Sequence, residues 1–424
     1  MLTDKFLRLQ SALFRLLGLE LLHEQDVGHR YPWRSICCIL SVASFMPLTI
    51  AFGLQNVQNV EQLTDSLCSV LVDLLALCKI GLFLWLYKDF KFLIGQFYCV
   101  LQTETHTAVA EMIVTRESRR DQFISAMYAY CFITAGLSAC LMSPLSMLIS
   151  YHEQVNCSRN FHFPVCKKKY CLISRILRYS FCRYPWDNMK LSNYIISYFW
   201  NVCAALGVAL PTVCVDTLFC SLSHNLCALF QIARHKMMHF EGRNTKETHE
   251  NLKHVFQLYA LCLNLGHFLN EYFRPLICQF VAASLHLCVL CYQLSANILQ
   301  PALLFYAAFT AAVVGQVSIY CFCGSSIHSE CQLFGQAIYE SSWPHLLQEN
   351  LQLVSSLKIA MMRSSLGCPI DGYFFEANRE TLITIPGLAF RAFIIQWFSR
   401  SGLFNSGNIY NYALSRCCYS QLAN

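Results

Sequence analysis

Stretches of about twenty residues with few charges, spread from one end of the chain to the other, constrain this sequence more than any other feature. The clear ones fall at 35–54, 66–87, 122–150, 193–222, 274–295 and 301–323, and a weaker run lies at 380–398. A hydrocarbon core of about 30 Å is crossed by about 20 residues rising 1.5 Å each, so every run is long enough to span a membrane. The runs are continuous rather than alternating over ten residues, which points to helices and not to barrel strands. The expected fold is therefore all-α, a seven-transmembrane helix membrane protein. Composition agrees: 55% of the 424 residues are hydrophobic and only 13% are charged, about half the charge of a soluble chain, and the mean hydropathy is +0.40. A soluble enzyme is excluded. No Pro/Gly/Ser-rich linker divides the chain, and residues 1–34 mix Arg8, Arg15, Glu20, Asp26 and Arg30 without the apolar stretch of a cleavable signal.

Orientation follows from the sidedness of Lys and Arg. Segments 1–34, 88–121, 223–273 and 324–377 share a side and hold more than half of the chain's 31 Lys and Arg, whereas loops 55–65 and 296–300 hold none. The positive-inside rule then places the N-terminus in the cytoplasm and, after seven spans, the C-terminus outside. Loop 151–192 is assigned outside although it carries Lys167-Lys168-Lys169; it also holds Asn156-Cys157-Ser158, a glycosylation acceptor. The resulting division is 1–34 cytoplasmic, 35–222 spans one to four, 223–273 a cytoplasmic helical extension, 274–323 spans five and six, 324–377 a cytoplasmic anchor region, 378–398 the seventh span and 399–424 a tail. This topology is opposite to that of a G-protein-coupled receptor, and neither Asp-Arg-Tyr nor Asn-Pro-x-x-Tyr occurs.

Catalysis, cofactors and metal have no sequence support. No His-Glu-x-x-His, P-loop or Gly-x-Ser-x-Gly is present. Cys288-x-x-Cys291 lacks a second pair, and Cys321 and Cys323, at the end of an apolar run, form no metal set by spacing. Many of the 25 cysteines, such as Cys37, Cys38, Cys203 and Cys214, lie inside apolar runs and read as small hydrophobes. Basic residues are scattered, so nucleic-acid binding is not expected.

From Tyr320 the chain reads Tyr-Cys-Phe-Cys-Gly-Ser-Ser-Ile-His-Ser-Glu, followed by Ala337-Ile338-Tyr339-Glu340-Ser341-Ser342-Trp343 and Met361-Met362-Arg363-Ser364. This order and spacing resembles the C-terminal third of insect odorant receptors of the fly type. Pro211 to Asp216-Thr217-Leu218, leading through Leu226 and Phe230, looks like the family's fourth span and its cytoplasmic continuation. The resemblance implies an odorant-gated cation channel subunit in the plasma membrane of olfactory sensory neurons. In that family such a subunit pairs with a shared co-receptor in a heterotetramer and takes small apolar volatile ligands. The 50-residue scale of the loop between spans four and five is similar to a ligand-tuning subunit rather than to the co-receptor. Gly324, Tyr339 and Trp343 then fall in the subunit-assembly region. A gustatory receptor of the same superfamily is an open alternative, as are, further off, a G-protein-coupled receptor or a transporter.

The resemblance places the ligand pocket in the outer halves of spans two, three, four and six, where this chain supplies Ser69, Asp73, Met142, Met147, Tyr151, Tyr198, Asn201, Phe305, Tyr306 and Phe309. Aromatic and methionine side chains suit small apolar ligands because they adapt in shape and are polarizable. Tyr194, Tyr198 and Asn201 share a helix face by their spacing, as do Phe305 and Phe309. Near span ends the same residues also make an interfacial aromatic belt. Charges inside spans cost about 2.5–3.5 kcal/mol each on insertion scales, which singles out Asp73, Lys79 and Asp216. Six residues turn a helix by about 600°, so Asp73 and Lys79 point about 120° apart and are poor partners; Asp216 is assigned a gating or structural role. Two segments depart from the family. Cys166–Ser174 carries the anomalous lysines and is compatible with a translated intron, and Pro386, Gly387 and Arg391 interrupt the last span, so no pore residue is carried over.

Overall fold

A computed structural model describes residues 7–21, 33–160, 191–241, 245–277, 279–296, 302–344, 351–372 and 376–385, with 387 and 391; the side chains of 142–160, 191, 245, 277, 295–296, 302 and 351–353 lie outside the description. Ten helices are defined among these residues: α1 Arg8–Leu16, α2 Trp33–Gln55, α3 Val60–Trp85, α4 Tyr87–Glu104, α5 Ala108–Asn160, α6 Leu191–Met238, α7 Thr245–Ile277, α8 Gln279–Ala296, α9 Ala302–Glu340 and α10 Leu351–Ser365. A short helical stretch follows at 379–385. The described residues form no sheet, only one antiparallel bridge between Asp371 and Glu376.

Helices α2, α3, α5, α6 and α9 are each long and apolar enough to cross a membrane, and α7 with α8, bent by 44°, is long and apolar enough when taken as one broken span. Pro275 stands inside the end of α7; its missing N–H and its ring interrupt the hydrogen-bond ladder next to the bend. All six clear runs of the sequence therefore lie on these helices. Their ends differ, because hydropathy detects only the apolar part of a helix. The 48 residues of α6 cover about 72 Å at 1.5 Å per residue, more than twice the hydrocarbon thickness. Likewise α5 continues past residue 150 to Asn160, into the segment expected to be a loop. Residues 161–190, which include Cys166–Ser174, lie outside the described residues, as do the tail and most of the seventh run.

Entry into α3 is set locally. Asn59 Oδ1 accepts hydrogen bonds from the backbone N–H groups of Glu61 and Gln62 at 3.2 and 3.5 Å, while Glu61 adds negative charge beside the positive helix end. Helix α6 is the centre of the bundle: every residue from Pro211 to Ser223 is buried, as expected of a helix that is apolar all round. Around it pack α2, α3, α5, α7 and α9. Helix α5 shows the opposite pattern. Phe123, Met127, Tyr130, Ile133, Leu137 and Leu141 form an exposed stripe at three- and four-residue spacing, while Ser125, Tyr128, Phe132 and Ala135 are buried on the other face. An exposed apolar stripe of this length suits lipid.

A chain of buried rings crosses the bundle. Phe14 of α1 lies 4.8 Å from Phe83 of α3, which stacks on Phe90 of α4 at 5.0 Å; Phe90 meets Phe273 of α7 at 5.2 Å. Phe273 continues to Phe219 of α6 at 4.9 Å, and Phe219 stacks on Tyr320 of α9 at 4.5 Å. Ring contacts at such distances each contribute about 0.5–1.5 kcal/mol beyond area burial, and this chain of rings links six helices.

Candidate functional site

Directly beside this aromatic layer, Asp216 of α6 gathers the polar side chains of three neighbouring helices. Lys79 Nζ of α3 lies 2.6 Å from its Oδ1 and 2.8 Å from its Oδ2. From α9, Tyr320 donates its hydroxyl to Oδ1 at 2.8 Å and Gln316 donates Nε2–H to Oδ2 at 2.8 Å; from α5, Tyr128 donates its hydroxyl to Oδ2. Lys79 and Asp216 are 1% and 0% exposed. A carboxylate offers about four acceptor sites, and here each oxygen is held by Lys79 and at least one neutral donor. The charge pair is thus both neutralised and hydrogen-bonded, the condition under which burial of two ions is tolerated. The sequence argument that Asp73 and Lys79 do not pair agrees with this arrangement, for Lys79 turns to α6 instead. One carboxylate thereby connects α3, α5, α6 and α9.

A second cluster lies near the α2–α3 turn, about 21 Å from Lys79 along α3, counting fourteen residues from Asp65. The Tyr306 hydroxyl of α9 donates to Asp65 Oδ1 at 2.6 Å. Cys68 Sγ is 2.9 Å from His286 Nε2 of α8, and Gln293 Nε2 of α8 donates to Thr64 Oγ1 and to the Glu61 carbonyl at 2.6 and 2.9 Å. Phe309 packs edge-on to His286 at 4.9 Å and stacks on Phe305 at 5.7 Å, and Phe305 meets Tyr306 at 5.1 Å. Phe305, Tyr306 and Phe309 are therefore one group, joined to α3 through Asp65. Ser69 and Asp73 follow Asp65 at four-residue steps on the same helix; Ser69 is partly exposed and Asp73 is buried. Asp73 Oδ2 has no hydrogen-bond partner among the described residues.

The remaining pocket candidates are distributed differently. Tyr198 of α6 stacks on Tyr194 at 6.3 Å, and the adjacent Trp200 donates Nε1–H to Ser44 of α2 at 3.1 Å. Asn201 is partly buried beside them. The Trp200 bond holds the start of α6 against α2, whereas Phe305, Tyr306 and Phe309 are tied to α3 and α8. Met142, Met147, Tyr151 and Asn156 lie on the α5 backbone helix, with side chains outside the description.

In the anchor region, Gly324 is a position of close approach. A Cβ there would stand 2.2 Å from the Ala377 carbonyl oxygen, and Ala377 in turn donates its N–H to the Ile370 carbonyl at 2.8 Å. The segment after α10 is thereby laid on α9, and Gly367, at φ +68°, makes the turn that starts it. Asp371 fastens the segment to α7, accepting from Asn270 and, at 3.2 Å, from Arg274. Trp343 packs against the core, while Tyr339 is 71% exposed. Glu330, part of the sequence motif, accepts from Gln231 at 2.8 Å and Arg234 at 3.1 Å on α6.

Sequence reasoning missed Tyr128, Gln316 and Tyr320 as partners of Asp216, and Asp65 and His286 in the second cluster. For Tyr128, Gln316, Tyr320 and His286 the signal is weak, an uncharged polar side chain inside an apolar run that also needs a partner; Asp65 falls in the expected loop 55–65, where a charge is unremarkable.

A family model described as 7tm Odorant receptor matches residues 59–390. The chain is 92% identical over 385 residues to the putative odorant receptor 98b of Drosophila melanogaster, covering 91% of this chain and 96% of that one. It is 34% identical to odorant receptor 47a of the same organism over 388 residues, 90% of this chain and 96% of that one. Among solved structures, the olfactory receptor OR5 of Machilis hrabei in complex with eugenol superposes with a TM-score of 0.75 at 14% identity, covering 92% of this chain and 96% of that one.

Proposed function

Because the chain belongs to the 7tm odorant receptor family, a family of receptors rather than enzymes, we propose that it is the ligand-tuning subunit of an odorant-gated, non-selective cation channel. Its family sets aside the gustatory, G-protein-coupled and transporter alternatives. In this reading it works in a heterotetramer with a shared co-receptor in the plasma membrane of olfactory neurons, N-terminus inside and C-terminus outside. The sidedness of Lys and Arg supports that orientation.

Small volatile ligands bind in the region of Ser69, Asp73, Phe305 and Phe309, completed by Met142, Met147, Tyr151, Tyr198 and Asn201. The partly exposed aromatic group with few polar partners suits them, since pockets for such ligands are apolar with a small number of placed polar groups. Tyr306 acts differently from its neighbours: it is buried and its hydroxyl is committed to Asp65, so it shapes the pocket wall. The observation that carries the gating reading is the Asp216 hub. Four helices share one buried carboxylate, so a ligand that changes the spacing of α3 and α9 near the α2–α3 turn also loads the Lys79, Gln316 and Tyr320 bonds. A ligand that favours one arrangement of these helices shifts the population toward it.

Co-expression with a co-receptor and recording of ligand-evoked current tests the proposal. Current in response to members of an ester, alcohol, ketone and phenol panel is expected with the co-receptor and absent without it. A surface-expressed pair that stays silent across the panel contradicts the reading, and antibody access to an N-terminal epitope in intact cells contradicts the orientation.

A further inference from the structure

About one and two turns of helix beyond Asp216, Cys220 and His224 stand four residues apart on α6 and meet Cys323 of α9. The two sulfurs and an imidazole nitrogen all lie within 4.8 Å of one another, and the sulfurs are 3.9 Å apart. With zinc–sulfur bonds of about 2.3 Å, the edge of a tetrahedral site is about 3.8 Å, so the two thiols already have the spacing of ligands to one ion. Cys220 and Cys323 are buried, at 0% and 4% exposure.

The surroundings add an independent observation. Glu117 Oε2 of α5 lies 3.1 Å from His224 Nδ1, and the same carboxylate is held by Arg120 at 2.9 Å and by Gln231 at 3.4 Å. Nδ1–H donation to Glu117 fixes the tautomer in which Nε2 carries the free lone pair, and a carboxylate behind the imidazole is the usual outer partner of a metal-bound histidine. Cys220 is the other hydrogen-bond neighbour of His224. Asp121, also within hydrogen-bond reach of Cys220, brings a carboxylate to the same place from α5.

We propose that Cys220, His224 and Cys323 bind a zinc ion that cross-links α6 to α9, with Asp121 or a water in the fourth position. On binding, each thiol releases its proton to solvent and the sulfur pair forms a bond to the metal; two thiolates offset the two positive charges, so the buried sulfur–metal unit carries no net charge. Thiolate and imidazole ligands select zinc over magnesium or calcium. The bridge would join the same two helices that Asp216 joins through Tyr320 and Gln316. It needs no odorant and stands apart from the gating proposal.

The full chain, purified in detergent and stripped of metal, is titrated with Zn2+ and separately with Co2+. Zn2+ is expected to protect Cys220 and Cys323 from alkylation in residue-resolved peptide mapping, while exposed Cys99 stays reactive. Co2+ should give thiolate charge-transfer and tetrahedral ligand-field bands. Cys220→Ser with Cys323→Ser should abolish the cobalt bands and Cys99→Ser should leave them. Glu117→Gln, which removes no ligand, should weaken Zn2+ binding about 10–100-fold. Absence of protection and of cobalt bands in the unmodified chain overturns the proposal without recourse to any variant. Metal signals undiminished in the double variant, or a Cys220–Cys323 disulfide in freshly isolated protein, overturn it as well.

Discussion

The two polar clusters along α3 are finished differently. Around Asp216, both carboxylate oxygens are engaged by Lys79 and by neutral donors from α5 and α9. Nearer the α2–α3 turn, Asp65 has Tyr306, but Asp73 is left with an oxygen that no described residue satisfies. A buried network with every member bonded is rigid and fixes helix positions; a buried group without a partner costs free energy until something supplies one. Under the proposed function, the Asp216 cluster holds the bundle and the Asp73 region receives the ligand.

The largest effect is expected from Asp216→Ala, which leaves the Lys79 ammonium buried without its counter-ion. A loss of about 3–5 kcal/mol in stability follows, seen as collapse of the thermal transition in detergent and of surface delivery. Replacing both members, Lys79→Met with Asp216→Leu, should return most of that stability while altering ligand-evoked current. A double variant as unstable as the single one would show that Tyr128, Gln316 and Tyr320, left without their acceptor, matter as much as the charge pair.

Gly324→Ala comes next. The added methyl meets backbone rather than a flexible side chain, and overpacking of this kind costs about 1–3 kcal/mol; a proteolysis assay should show the segment around Ala377 released from α9. Wild-type protection there would mean that the close approach is not constraining. Tyr306→Phe, which removes one hydrogen bond to a carboxyl group, should cost about 1–2 kcal/mol and raise the ligand concentration for half-maximal current. The smallest stability change is expected at Asp73. Asp73→Leu removes an unsatisfied group, so the melting temperature should hold or rise by the equivalent of about 1 kcal/mol, while the ligand response changes. If Asp73→Leu instead unfolds the chain as Asp216→Ala does, the distinction between the two clusters is lost.

Individual residues show how far the sequence could be read. The apolar runs marked all six described spans, since Trp33–Gln55 or Val60–Trp85 shows its hydropathy without reference to the rest of the chain. The rejection of an Asp73–Lys79 pair also stood on local geometry alone. Lys79's actual partner was not legible, because Asp216 is 137 residues away and nothing in spacing ties the two. Pocket candidates on one helix, Phe305 with Phe309 and Tyr194 with Tyr198, did come together as their spacing indicated. Candidates on different helices were sorted by packing, which joined Tyr306 to Asp65 and left Tyr198 against Tyr194. Cys323 carries the same lesson, since its spacing to Cys321 predicted no metal set and its neighbours Cys220 and His224 arrive from another helix.

By itself, then, the sequence determined that this chain is a multi-span helical protein of the odorant receptor type. Run length, hydropathy and motif order are local properties, and each contributes independently of how the helices meet. Tertiary structure alone decided that Lys79 faces Asp216, that Tyr128, Gln316 and Tyr320 complete that site, and that one Asp73 oxygen has no partner among the described residues. Those outcomes depend on the rotation and register of one helix against another, set by close packing of side chains across the whole bundle rather than by spacing within any one of its helices.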